Sequence, residues 1–180
     1  KEFQRLQIPT VEPCLCASMG KTPANHRSII VTKALRNKVS LEYFSTTNVK
    51  LKRRIIESVA EIAREMHCGG INHRDFYLCH FLMDRDLSKG PLLHLIDLHR
   101  AQKRTKVPRR WLIKDLGGLL FSALNKGLTQ RDFLRFLRIY FDSPLRTSLR
   151  DEDFWKEVIS RAKNLYIKQE KRLPDKIDRL

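Results

Sequence analysis

The stretch "GGINHRDFYLCHF", Gly69 to Phe81, holds the densest set of groups in this chain that could do chemistry. A His-Arg-Asp triplet on a sharp loop is how phosphoryl-transfer enzymes present a carboxylate to an acceptor hydroxyl, whose proton it accepts. Asp75 is then the candidate base. In such loops a metal-binding asparagine stands five positions beyond the aspartate, and a second carboxylate returns on the next hairpin to the metal-bound phosphates. Asp97, in "LLHLIDLHRAQ", lies 22 residues after Asp75 at the end of an apolar run. Magnesium prefers oxygen donors, so two carboxylates at two loop mouths suit one base and one magnesium ligand. The triplet alone has a second reading, a surface ion pair of Arg74 with Asp75, and the flanking elements must decide.

Asn48 can cap a helix reaching about Met66, in which Ile55, Ile56, Val59, Ile62, Ala63 and Met66 fall on one face. Gly69-Gly70 ends that helix. The runs "HFLM" and "LLHLID", separated by a charged turn with Gly90-Pro91, predict a small hairpin. Upstream, Lys1 to Gln7 reads as a helix end stopped by Pro9. Pro13 to Ala17 and Ser28 to Ala34 read as strands, joined by a turn with Gly20, Pro23 and Asn25. Downstream, helices are expected over Leu112 to Asn125, Thr129 to Phe141 and Glu152 to Lys171, with Thr129 and Asp151 as caps and Pro144 breaking the last gap. The tail "KRLPDKIDRL" is expected to fray. A long amphipathic helix, a glycine pair and a hairpin carboxylate around the triplet favour its catalytic reading.

The 180 residues suffice for one domain with a real core, or for part of a larger one. A net charge of +16 and a pI near 10 direct the chain toward phosphates or other anions. No apolar run approaches the roughly 20 residues that span a bilayer. The "GKT" at Gly20 to Thr22 lacks the glycine that a phosphate loop requires five residues earlier, where Leu15 stands. Cys14, Cys16, Cys68 and Cys79 match no zinc spacing and are expected to be buried, reduced thiols. Trp111 and Trp155 are expected to anchor the core. The aromatics Phe133, Phe136, Tyr140 and Phe141 sit at packing intervals on one helix, and no helix-turn-helix, zinc-finger or RNA-recognition signature is present. A basic nucleic-acid-binding or lipid-binding module is the rival reading, and no nucleic acid is expected as partner.

"GGINHRDFYLCHFLMD", with "LIDLHRAQ" and "PRRWLIKDLGGLLFSALNKGLTQRD", closely resembles the lipopolysaccharide core heptose kinase family of Gram-negative bacteria, from the first residues to about Leu149. The resemblance implies an α+β protein-kinase-like fold, mainly the helical C-lobe (37–180) with the last strands of the N-lobe (1–36). It implies an ATP-dependent phosphotransferase acting on a heptose hydroxyl of the inner core, or on octulosonic acid (Kdo) as related members do. Asp75 matches the base and Asp97 the magnesium-binding aspartate. His80 stands where many kinases carry the second metal-binding asparagine, and "CHF" is typical of the family. A neutral imidazole is a poor magnesium ligand, so His80 could instead orient a water or a phosphate oxygen. Asp115 resembles the helix aspartate that braces the loop backbone. Glu2 resembles the glutamate that pairs with the ATP-binding lysine. That lysine and its glycine-rich loop would precede Glu2, so these 180 residues alone are expected to have little kinase activity.

"RAQKRTKVPRRWLIK", Arg100 to Lys114, has seven basic residues and no acidic one, in the place of an activation segment. An acceptor bearing lipid A phosphates and octulosonic carboxylates suits arginine forks, which makes Arg100, Arg104, Arg109 and Arg110 the acceptor-binding candidates. With "KLKRR" at Lys50 to Arg54, the loop could hold a cytoplasmic protein peripherally at the anionic inner face of the inner membrane. The family also includes reports of acyl carrier protein as a partner, and the basic surface is compatible with one.

Overall fold

A computed structural model of the chain describes residues 1–171 other than Pro23 and Lys89, with the side chain of Ser148 also outside the description. Pro23 of the expected turn, and the expected frayed tail from Arg172 onward, thus lie outside the described residues. The chain opens on one helical turn, α1 (Glu2–Arg5), which buries Phe3. The segment after it runs beside a later strand: the Pro9 carbonyl accepts the Leu95 N–H at 2.9 Å, and the Thr10 hydroxyl donates to the Leu95 carbonyl at 2.6 Å.

β1 (Pro13–Met19) and β2 (Arg27–Thr32) form an antiparallel ribbon of their own, irregular between Pro13 and Leu15. Every residue of both strands is exposed, including Leu15, Met19, Ile29, Ile30 and Val31. This corrects the expected burial of the thiols. Cys14 and Cys16 are exposed because β2 covers only the edge of β1, and Cys68 is exposed at a helix end. Cys79 is half-buried, and all four are free.

β3 (Lys38–Ser40) pairs antiparallel with β5 (Phe81–Asp84), and β5 with β6 (Leu93–Leu95), so the expected hairpin gains an unforeseen third strand. Between β3 and β5 runs α2 (Val49–Cys68), capped by Asn48, whose side chain accepts the Lys50 and Leu51 N–H groups at 3.0 and 3.1 Å. Its buried face carries Val59, Ile62, Ala63 and Met66 as the periodicity requires. Gly70 then turns the chain at φ +77°, a conformation L side chains rarely adopt, and a Cβ there would stand 2.1 Å from the Arg104 carbonyl oxygen. The glycine lets β4 (Ile71–Asn72) pair with β7 (Gln102–Lys103), far along the chain.

The helical part comprises α3 (Arg109–Ala123), α4 (Gln130–Phe141), the single turn α5 (Leu145–Ser148) and α6 (Glu152–Glu170). α3 packs along α6 and α2 along α4. Thr129 caps α4 in a reciprocal box with Asp132, and Asp151 caps α6 by accepting the Phe154 N–H at 3.0 Å. α5 occupies the gap that Pro144 marks, since a proline is well placed just before a helix starts. Trp155 is buried against Phe133, Phe141 and Phe154. Gly118 lies beneath Tyr77, where an added Cβ would come within 3.0 Å of the ring and 3.2 Å of the Phe76 carbonyl oxygen. α3 can therefore approach the loop at Gly69 to Phe81 closely.

Candidate active site

Asp115, on α3, is fully buried, and a buried carboxylate must be met by donors. Its two oxygens accept the backbone N–H groups of His73 at 2.7 Å and Arg74 at 2.8 Å. Arg74 is held at φ +77°, an unfavourable conformation for a residue with a Cβ, which two charge-assisted bonds on adjacent amides help offset. The His67 Nε2 lies 3.3 Å from the same carboxylate, and the His67 Nδ1 lies 2.8 Å from the Tyr140 hydroxyl. A carboxylate only accepts, so Nε2 donates to Asp115 and Nδ1 accepts the hydrogen bond that the Tyr140 hydroxyl donates. Burial pushes the Tyr140 phenol well above its ordinary range, so it keeps that proton. α2, α3 and α4 thus meet in one buried polar chain behind the loop.

The loop is also tied forward. The His73 ring, buried, places Nε2 at 2.9 Å from the Ile96 carbonyl oxygen, and the Ile96 N–H donates to the His80 carbonyl at 2.9 Å. Burial lowers the His73 pKa, only partly opposed by the Ile96 bond, which keeps the ring neutral and able to donate one proton. Ile96 immediately precedes Asp97 in the chain. One residue therefore bonds both ends of the HRD loop and sets the position of the hairpin carboxylate.

Asp75 faces Arg100, whose Nη1 lies 3.0 Å from both carboxylate oxygens. The His80 ring spans the two acidic residues: Nδ1 is 2.6 Å from the Asp75 carbonyl oxygen, and Nε2 is 3.2 Å from the Asp97 carboxylate. His73 stacks on His80, with centroids 5.6 Å apart and planes inclined by 16°. Asp97 has a left-handed backbone at φ 61° and opens the 3-10 turn Leu98–Arg100, with His99 Nδ1 against its second oxygen. Asp75, His80, Asp97, Asp115 and Arg100 accordingly stand together.

The other candidates are placed differently. Glu2 pairs with Arg5 at 3.2 Å on the exposed side of α1. Arg109 points to α6, where it meets Asp151, lies 2.9 Å from Glu157 and covers the Phe154 ring. Arg104 is held by the Asn72 and Gln102 side-chain carbonyls. Arg104 and Arg110 both approach the Trp111 indole, at 5.6 and 5.3 Å from its centroid. Trp111, expected as a core anchor, is only half-buried and is flanked by cations because it lies in the first turn of α3 amid the basic run. His99 and His67 escaped the sequence reading, and Tyr140 was read there only as a packing aromatic. The "DLH" spacing signals His99, whereas nothing local in the sequence marks the other two.

Among the described residues no cluster of three or more His, Cys, Asp or Glu side chains is arranged to hold a metal ion. A magnesium ion carried largely by nucleotide phosphates and waters needs only one or two protein carboxylates, and the half-exposed Asp97 fits that need. Among the described residues no helix is long and apolar enough to cross a membrane.

The model of the lipopolysaccharide kinase (Kdo/WaaP) family matches residues 1–140. The Pseudomonas aeruginosa lipopolysaccharide core heptose(I) kinase WaaP is 47% identical over 154 residues, covering 81% of this chain and 58% of that protein. The Escherichia coli protein of the same description is 46% identical over 142 residues, covering 74% and 54%. The chain thus spans little more than half the length of these curated relatives. A solved structure of WaaP in complex with acyl carrier protein superposes with a TM-score of 0.85 at 43% identity, covering 92% of this chain and 73% of that one. The mixed helix-and-sheet architecture is protein-kinase-like, as the motifs imply.

Proposed function

The chain belongs to the lipopolysaccharide kinase (Kdo/WaaP) family, and on that premise we propose that it serves ATP-dependent phosphoryl transfer to a heptose hydroxyl of the lipopolysaccharide core. The observation that carries the reading is Ile96, which bonds both His73 and His80 and so fixes Asp97 relative to Asp75. Phosphoryl transfer demands little covalent chemistry from a protein and depends on positioning and charge. Asp75 orients the acceptor hydroxyl and accepts its proton. Arg100, bonded to both oxygens, keeps that carboxylate aimed until the acceptor arrives. Asp97 would hold magnesium, which when bound neutralises charge on the nucleotide phosphates. His80 holds Asp97 at a set distance from the loop, a use that suits an imidazole better than magnesium ligation. Asp115 braces the loop through two amides.

In this reading residues 1–36 fall on the nucleotide side and 37–180 carry the catalytic loop and acceptor side. Glu2 is assigned to the pairing with a nucleotide-binding lysine, and Arg5 occupies its carboxylate here. Of the four arginines proposed for the acceptor, Arg100, Arg104 and Arg110 keep that assignment with the most support. The acidic acyl carrier protein is the proposed protein partner, favoured by the +16 charge and by the complex formed by the structural relative. Attachment at the inner face of the inner membrane is proposed on the same charge.

The test is direct. The full-length protein is incubated with γ-labelled ATP, magnesium and core lipid bearing an unphosphorylated heptose, beside an acceptor that ends at octulosonic acid. Label on the heptose acceptor alone is expected. Label on the octulosonic acceptor would reassign the hydroxyl, and label on neither would refute the kinase reading.

A further inference from the structure

Four cations crowd one indole. The guanidinium carbons of Arg74, Arg104 and Arg110 lie 5.0, 5.6 and 5.3 Å from the Trp111 centroid, and the Lys114 Nζ lies at 5.2 Å. Among the described residues none of the four is ion-paired to a carboxylate, although acidic partners satisfy Arg64, Arg100, Arg109 and Arg135 elsewhere. Arg104 is oriented by two neutral carbonyls, from Asn72 and Gln102, which aim its fork without cancelling its charge. The Asn72 side chain is fully buried and its Nδ2 has no partner, nor do the buried Arg74 Nε and Trp111 Nε1. The first turn of α3 adds to the same field: Pro108 gives it no side-chain cap, and no acidic residue stands in it.

Like charges gathered without counter-charge repel one another, and a π face only partly relieves this. Lys114 registers the crowding, its pKa being lowered by burial and then by Arg100, with Arg74 and Arg161 acting in the same sense and Asp75 opposing. Arg74 immediately precedes Asp75 in the chain, which puts the cluster next to that carboxylate. Planar guanidinium forks and an ammonium around an aromatic platform suit a tetrahedral or planar oxyanion.

We propose that Arg74, Arg104, Arg110 and Lys114, gathered on Trp111, form an oxyanion subsite that holds an anionic substituent of the acceptor, phosphate or carboxylate, while Asp75 serves its hydroxyl. The proposal rests on the kinase reading and deepens it. The subsite selects acceptors by charge at a second point, away from the reacting oxygen. It differs from the acceptor set expected from sequence by including Arg74, Lys114 and Trp111, and by leaving Arg100 to Asp75 and Arg109 to α6.

The test uses the full-length protein and three acceptors: heptose-bearing core lipid, the same lipid after enzymatic dephosphorylation, and the same lipid with its carboxylates esterified. Arg110→Ala and Arg104→Ala should each raise the acceptor KM roughly tenfold or more, with kcat and the ATP KM within about twofold. Arg131→Ala, an exposed cation on α4, should change neither. The wild-type KM should rise to the variant level on whichever treated lipid has lost the recognised anion, and the Arg110→Ala enzyme should not notice that loss. An unchanged acceptor KM in both variants, or a rise in the ATP KM instead, overturns the subsite. Binding without ATP separates this outcome from failure of the kinase reading. With Trp155 and any tryptophan beyond these 180 residues replaced by phenylalanine, so that Trp111 is the one indole, titration with untreated core lipid should change its fluorescence saturably, and Arg110→Ala should weaken that binding roughly tenfold. A response equal in both proteins, or none, sinks the proposal whether or not phosphate is transferred.

Discussion

His67, Asp115 and Tyr140 form a buried chain in which each His67 nitrogen and the Tyr140 hydroxyl has one side-chain partner, and that makes its members sensitive to deletion. Tyr140→Phe leaves the His67 Nδ1 buried without its 2.8 Å partner. A loss of about 1–3 kcal/mol is expected, measured as a lowered urea midpoint with an unchanged slope. The residue scale is also where sequence reading reached furthest. Asp75, His80 and Asp97 stand together as their spacing requires, because a loop and the following hairpin are local in the chain. Trp111 was misjudged for the opposite reason. An indole's type does not reveal whether its neighbours are apolar side chains or guanidiniums, and those neighbours come from the segments just after β4 and β7 and from α3 itself. The thiols of Cys14 and Cys16 were misjudged because burial was inferred from residue type, while every residue of β1 is exposed.

At the scale of elements, the long helices follow from periodicity and caps, with Asn48, Thr129 and Asp151 each accepting the amides expected of them. The two-residue strands β4 and β7 were not legible. Their pairing depends on Gly70 allowing Arg104 to approach, a contact between segments more than thirty residues apart that no local pattern encodes. The join between α2 and α4 makes a prediction with a sign. Burial alone would raise the Asp132 carboxyl, but the Lys52 ammonium at 2.7 Å, with the Thr129 amide and hydroxyl, outweighs it and holds the pKa below the usual aspartate value. A depressed carboxyl pKa contributes stability above the unfolded value of about 3.9 and loses it as pH falls through the folded value. Lys52→Met should therefore cost about 1–3 kcal/mol between pH 5 and 8, and the deficit should shrink below about pH 4 in denaturant titrations. A deficit that stayed constant down to pH 2 would show that the ion pair is not its source.

Across the whole molecule, the charge of +16 is the property that the sequence displays most openly, but it does not name a partner. What the fold adds is distribution: Arg109 and Arg135 are consumed by carboxylates within the helical part, while the cations around Trp111 are not. The remaining field should bind vesicles containing anionic lipid and release them as salt rises from about 0.1 to 0.5 M, read by co-sedimentation. Binding indifferent to salt would point to apolar insertion instead. The account as a whole rests on one carboxylate acting as the base. In the full-length protein, Asp75→Asn should lower kcat for ATP-dependent phosphorylation of heptose-bearing core lipid by roughly 10²–10⁴-fold, with nucleotide affinity unchanged. A variant turning over within about threefold of wild type would contradict it.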